Sequence, residues 1–593
     1  MTQAINAIRR LENKIEDLTT TILSSPRYSS HPPQRSSEHL STPSATSQPM
    51  IDVASHVTAL PTSQLDSSGF SEVGPSPQVV GTPSTDLHSS SENARKIFLS
   101  FSQHGVAAWP AMKQILPASF VISCEALGKD YVVEYESQRQ PLPMDSNISN
   151  ENRANSWLTG LPLSVVQELS DAYFAVFHRN MPVLDKFYFF SSTLSLAMES
   201  SFDFNIETCL VLNVLALGCL AVKAYEEGNF ALPSQKLSTA NGFVRPEWYD
   251  LMLDDPPGLR FFNEARKRVG FLMCQNDLQA GHYYMLSTLY YAQIVRPIDS
   301  WVTVNRTALH CTSMLKRHEN IDFDAWEGDM LCRLFWNALM YESIITQELD
   351  LPLSGLQEFE ADMPIPKFTS CPRPKTSISG LLVDDDDSFF NFHFLAQAAH
   401  RIILNRVRYH MYSFIEKKGS PTHSITTEMH HQVEQWRSNL PPSLQFSDED
   451  DDVEDSASPA HVIAKAMLRS RYFVAKFHIG RPYFYKALHA PAHMNDSEYT
   501  RVAECLRDGM YWPTTMGLCT LMKSALPLKF GWCSQCFGQV LLFHAAARSG
   551  DAKLRATLPP GWRDWVHIMM QLIESCGKYS PAIAKDAEIL QLL

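Results

Sequence analysis

Residues 164–181 read SVVQELSDAYFAVFHRNM and are followed by Pro182. Val165, Leu169, Ala172, Tyr173 and Val176 recur at the three- and four-residue spacing that lines one face of an α-helix. Proline lacks the backbone N–H a helix interior needs, so Pro182 predicts the end of this one. Further along the chain the same periodicity predicts helices over 206–226, 258–274, 278–295, 300–316, 324–349 and 389–416. It continues over 425–438, 459–479, 497–511, 532–549 and 561–577. Turn clusters such as Asp254-Asp255-Pro256-Pro257-Gly258 and Leu440-Pro441-Pro442 separate these segments. Few stretches alternate as a half-buried strand does, and no fixed-period repeat suggests a solenoid. The expected fold class is all-α, a multi-helix body.

Composition supports a large packed core. Of the 593 residues, 45% are hydrophobic and 19% charged, which excludes a wholly disordered chain, a collagen-like one and a small disulfide scaffold. The formal net charge of −14 argues against a surface devoted to phosphate neutralisation, since that needs clustered Lys and Arg. The longest apolar run, 208–224 (TCLVLNVLALGCLAVKA), contains Asn213 and ends near Lys223. A spanning helix needs about 20 apolar residues, so this run is expected to be a buried core helix and no membrane contact is expected. Met1 is followed by a polar stretch and not by a signal-peptide core. The twelve cysteines are scattered through apolar helical contexts as core thiols. These features place the chain in the cytosol or nucleus.

The N-terminal region has a different character. Met1, Ala4, Ile8, Leu11, Ile15, Leu18 and Ile22 alternate by three and four, the a/d seam of a heptad repeat. Ile at a with Leu at d favours a parallel two-stranded coil, whereas an amphipathic helix packed on its own domain is the plainer alternative. Residues 1–24 are therefore read as a coiled-coil dimerisation segment, with Ile8, Leu11, Ile15, Leu18 and Ile22 forming the contact. Residues 25–95 are rich in Ser, Thr and Pro and have few core formers, so they are expected to be a disordered linker. An irregular lead-in spans 96–155. The helical body follows in two parts, 156–380 and 381–593. Two acidic runs, Asp384–Asp387 and Asp448–Asp455, read as solvated loops, because no glycine is placed to fold the carboxylates round a cation.

The chain is poor in catalytic patterns. It has no phosphate-binding G-x-x-x-x-G-K-[ST] loop, no G-x-G-x-x-G, no H-E-x-x-H and no G-x-S-x-G elbow. His430 and His431 are adjacent and point in different directions on a helix. The single C-x-x-C, Cys533 to Cys536, lacks the second ligand pair of a structural zinc site and reads as core thiols. No enzyme activity, catalytic residue, metal site or cofactor is expected. The rival expectation is an all-α enzyme, or a helical adaptor, with a pocket lined by Tyr283, Tyr284, Tyr290, Tyr291 and Trp336. Such aromatics more often pack helices together.

Several separated segments, in order, resemble the middle homology region of the fungal zinc binuclear-cluster transcription factors. Tyr173-Phe174, Phe177-His178, Met181-Pro182-Val183-Leu184 and Phe187 resemble that region's opening signature. Phe261-Phe262 with Ala265-Arg266, then Trp301, resemble the next helices. Arg333-Leu334-Phe335-Trp336 with Tyr341 and Glu342 resemble the RRLFW…Y…D helix, and Asp362-Met363-Pro364-Ile365-Pro366 its short exit. Phe394 to Gln397, Leu440 to Leu444 and Arg469 to Tyr485 extend the likeness, so that it covers roughly 160–580. The chain departs from the pattern at Glu342, where the family usually has Asp, and at Asp350-Leu351-Pro352, where G-R-P is usual. The signature positions are thus Tyr173, Phe174, Pro182, Arg266, Arg333, Phe335, Trp336, Glu342 and Pro352.

The resemblance implies a nuclear regulator of RNA polymerase II transcription for a metabolic or secondary-metabolite pathway. It also implies dimerisation through the N-terminal coil, with itself or with a related chain, and a small-molecule effector. In that family, DNA is read by a two-zinc cluster of six cysteines ahead of the coil. Here the first cysteine is Cys124, so zinc is expected only if such a cluster lies upstream. DNA binding then comes from that missing module or from a partner. The alternative is a fingerless dimerising co-regulator.

Overall fold

A computed structural model describes residues 100–144, 156–235, 242–317, 321–372, 387–412, 421–448, 458–514, 522–526 and 529–593. The heptad segment, the Ser/Pro/Thr-rich linker and most of both acidic runs lie outside the described residues. Every regular element among the described residues is helical, as the periodicity predicts. In chain order the helices used below are α1 (Ala118–Leu127), α2 (Tyr131–Ser137), α3 (Leu163–Tyr173), α4 (Ile206–Gly228) and α5 (Leu259–Arg268). Next come α6 (Leu278–Gln293), α7 (Pro297–Arg317), α8 (Trp326–Leu349), α9 (Ser388–Val407) and α10 (His423–Ser438). The last five are α11 (Pro459–His489), α12 (Asp496–Thr514), α13 (Lys529–Arg548), α14 (Trp562–Cys576) and α15 (Pro581–Leu590).

The centre of the first part is α4. Asn205 caps it by accepting the Thr208 N–H at 2.8 Å, and Asn229 ends it in the left-handed region at φ 54°. Its 23 residues are long and apolar enough to cross a membrane, yet 89% of the apolar window is buried inside the protein. Helices α3, α5 and α6 pack round it, which explains an apolar composition on all its faces. Close packing requires small residues: a Cβ on Gly218 would lie 2.3 Å from the Leu169 carbonyl oxygen of α3. Gly258, at φ +81°, brings the turn before α5 against the Ala216 backbone in the same way.

One apolar core runs from Phe101 to Leu590 and joins both parts of the body. The lead-in segment, expected to be irregular, contains α1 and α2 and belongs to that core. Trp109, Phe120 and Tyr131 are nearly inaccessible to solvent. Its apolar anchors are spaced for several short helices and not for one long one, so no sustained period marks them. Several boundaries also differ from the sequence reading: the opening helix turns π-helical over Phe174–His178, and the helix from Ser388 does so over Arg408–Tyr412. The segment 258–274 divides into α5 and a 3-10 stretch, Val269–Cys274. Helix α11 continues ten residues past the expected end at 479, through Pro482, to His489. Pro482 frees the carbonyl of His478, four residues earlier, and the Tyr412 hydroxyl donates to that oxygen at 2.9 Å. Tertiary contact thus satisfies the acceptor that proline leaves open.

Candidate functional site

Most of the signature residues belong to the core. Tyr173, Phe174, Pro182, Phe335 and Trp336 are buried. The Tyr341 hydroxyl lies 3.0 Å from the Met181 sulfur, linking the opening segment to α8. Trp336 Nε1 donates to the Pro364 carbonyl at 2.9 Å, which ties α8 to its D-M-P-I-P exit. Trp301 Nε1 likewise donates to the carbonyl of exposed Pro352 at 3.2 Å. Arg266 donates to Asn263 Oδ1 at 2.9 Å. Glu342 accepts the Ser354 backbone N–H, and burial raises its carboxyl above the ordinary range.

Asp329, which the sequence reading passed over, organises this region. Its carboxylate pairs with Arg333 at 2.6 Å and accepts the backbone N–H groups of Lys367, Phe368 and Thr369 at 2.5, 3.1 and 3.0 Å. Arg333 donates onward to the Thr369 carbonyl at 2.9 Å. The signature arginine therefore fastens the exit segment to α8.

Other candidates resolve into packing. Four of the five aromatics of the rival pocket are buried and Tyr291 packs against them at the edge: Tyr290 stacks on Phe262 with ring centroids 4.2 Å apart, and Tyr284 stacks on His310 at 5.3 Å. Cys533 and Cys536 are fully buried, and the Cys536 sulfur lies 3.6 Å from that of Met569. No group of three or more metal-ligating side chains converges among the described residues. The basic run Arg266-Lys267-Arg268 does not lie wholly on the surface. Arg268 is 1% exposed and pairs with Glu264 at 2.6 Å while donating to the Phe202 carbonyl at 3.1 Å. Four residues apart on one turn, the two side chains neutralise each other under Phe204.

A cavity of about 120 Å³ lies where α8, α9, α11 and α13 meet. Each helix presents residues at helical spacing. Helix α8 supplies Ile344, Gln347 and Glu348, and α9 supplies His400, Arg401 and Leu404. Helix α11 contributes Met467, Ser470, Arg471 and Val474, while α13 contributes Gly531, Trp532 and Gln535. The walls are mainly apolar, yet two guanidinium groups line them.

The charges in this cavity are unbalanced. Arg401 is buried and donates to Gln347 Oε1 at 3.2 Å; partly buried Arg471 donates to Gln397 Oε1 at 2.9 Å. Neither has an ion-pair partner among the described residues, and each has a buried Nε without a hydrogen bond. Burial, then the field of Arg471, pulls the Arg401 guanidinium down to about 9; burial pulls Arg471 down to about 10. Both remain charged at neutral pH. His400 stays neutral, because burial followed by the fields of Arg471 and Arg401 holds it well below its ordinary range. The one lining carboxylate, Glu348, is occupied by Ser534 Oγ at 2.5 Å, Gln535 Nε2 at 2.6 Å and Gln347 Nε2 at 3.1 Å. The arginines escaped the sequence reading because isolated basic residues in apolar helices ordinarily extend to solvent. The signal was two of them, in HRIILNR and MLRSRYF, each placed within an apolar face.

No family model, curated protein or solved structure matches the chain. Fold and site together define an all-α protein with a cationic cavity among its helices.

Proposed function

We propose that this chain is a transcription regulator of the fungal zinc-cluster type, acting in the nucleus on RNA polymerase II genes of a metabolic or secondary-metabolite pathway. The N-terminal heptads pair subunits, and the helical body sets activity in response to a small molecule. DNA contact comes from a zinc cluster outside this sequence or from a partner that carries one. The observation that carries the reading is the meeting of separated signature segments. Trp336 of the RLFW segment bonds the D-M-P-I-P exit, Arg333 bonds Thr369 beyond it, and Tyr341 reaches Met181 of the opening segment. The cavity among α8, α9, α11 and α13 supports the ligand-responsive part of the reading.

The test is the full chain fused to an unrelated DNA-binding domain at a reporter promoter. The expected result is a change in reporter output, up or down, relative to the DNA-binding domain alone. Unchanged output, with the fusion shown to occupy the promoter, would overturn the proposal.

A further inference from the structure

We propose that the cavity among α8, α9, α11 and α13 binds a small organic monocarboxylate, its carboxylate held by Arg401 and Arg471 and its carbon body by the apolar walls. This inference rests on the ligand-responsive part of the function proposed above and names the chemical class of the ligand. A buried guanidinium without a counter-charge is costly, so buried charges are normally paired. Here two converge on one space with no ion-pair partner among the described residues, each bonded only to a neutral glutamine oxygen. Arg401 is 4% exposed, and its Nε has no acceptor. The planar fork of arginine matches the two oxygens of a carboxylate.

The ligand's charge follows from the lining. Two guanidinium groups line the cavity with one carboxylate, Glu348, whose oxygens already accept three hydrogen bonds and whose pKa burial raises; the second carboxyl that acts on Arg401, Glu360, accepts from Asn405. A bound carboxylate supplies the negative charge that neither arginine has within ion-pair distance among the described residues. Its carbon body follows from Ile344, Leu404, Met467 and Val474, which line the same cavity and have nothing to offer inorganic phosphate. The volume of about 120 Å³ accommodates a short carbon chain.

The experiment uses purified full-length protein with acetate, isovalerate and hexanoate as probes, isovaleramide as the uncharged match, and inorganic phosphate as the competing anion. Calorimetry and thermal melting are the readouts. The expected result is one-to-one binding of isovalerate or hexanoate with a raised Tm, and no response to isovaleramide. Arg401→Met and Arg471→Met each weaken that binding roughly tenfold or more, since each removes a charged hydrogen-bond donor. Without ligand, both variants melt at or above the parent, because an unpaired buried charge has been removed. Three results would each overturn the proposal: no carboxylate binds, isovaleramide or phosphate binds as well, or the variants unfold without ligand and so show the guanidinium groups to be structural. Because the assay involves no DNA, its failure is separable from failure of the tethered-reporter experiment.

Discussion

Arg333 and Asp329 stand one helical turn apart on α8 and pair at 2.6 Å, almost fully buried. The pair also carries the chain that leaves α8, through three backbone N–H groups donated to Asp329 and one carbonyl that accepts from Arg333. An ion pair so surrounded does more than neutralise charge: it holds residues 367–369 in place. Asp329→Ala leaves a buried guanidinium without its counter-charge and three N–H groups without acceptors. The expected loss is about 3–5 kcal/mol of unfolding free energy, the usual cost of removing one partner of a buried pair. Urea denaturation checks it; a loss below about 1 kcal/mol, the range of an exposed pair, would contradict this role.

Gly218→Ala tests the packing of α4 on α3. The added Cβ would lie 2.3 Å from the Leu169 carbonyl oxygen, which belongs to a helix backbone and cannot swing aside. Overpacking of this kind costs about 1–3 kcal/mol, and the expected outcome is a lower Tm despite the better helix propensity of alanine. An unchanged or raised Tm would mean that α3 and α4 do not approach so closely.

His104 pairs with Asp586 at 2.9 Å and fastens the lead-in segment to α15. Burial lowers the His104 pKa, but the charge and hydrogen bond of Asp586 outweigh it, so the group sits above its ordinary 6.5. A histidine raised by folding contributes stability that is fully present below its unfolded pKa and is lost as pH rises through the folded value. The Tm advantage of the parent over His104→Gln is therefore expected to be largest below about pH 6.5 and to shrink with rising pH. A difference that grows toward alkaline pH would contradict the assignment.

The heptad segment makes a separate prediction. Changing Ile8, Leu11, Ile15 and Leu18 together to Gln removes the apolar a and d positions on which the proposed pairing rests. Light scattering of the full chain is expected to show a dimer before the change and a monomer after it. An unchanged mass would remove the coil from the account.

Much of the helical body was legible because burial imposes a period. Helix α4 was placed to within two residues at its C-terminal end, since a long apolar run interrupted only by Asn213 before Lys223 has one simple solution. Local pattern failed where a distant partner decides. Tyr412 lets α11 pass through Pro482, and Glu264 with Phe202 draws Arg268 inside. Helix α15 was not anticipated, although Pro581 at its start and Ser580 capping Ile583 mark its beginning. The cavity is hidden for the same reason: Arg401 and Arg471 are 70 positions apart, and only the packing of α9 against α11 brings them to one space.

The most direct test of the central claim is chromatin immunoprecipitation of the tagged full-length protein in its native cell. The account predicts enrichment at discrete promoters, whether the chain binds DNA itself or is brought there by a partner through the coil. Uniform background across the genome, with the protein excluded from the nucleus, would contradict a role in transcription.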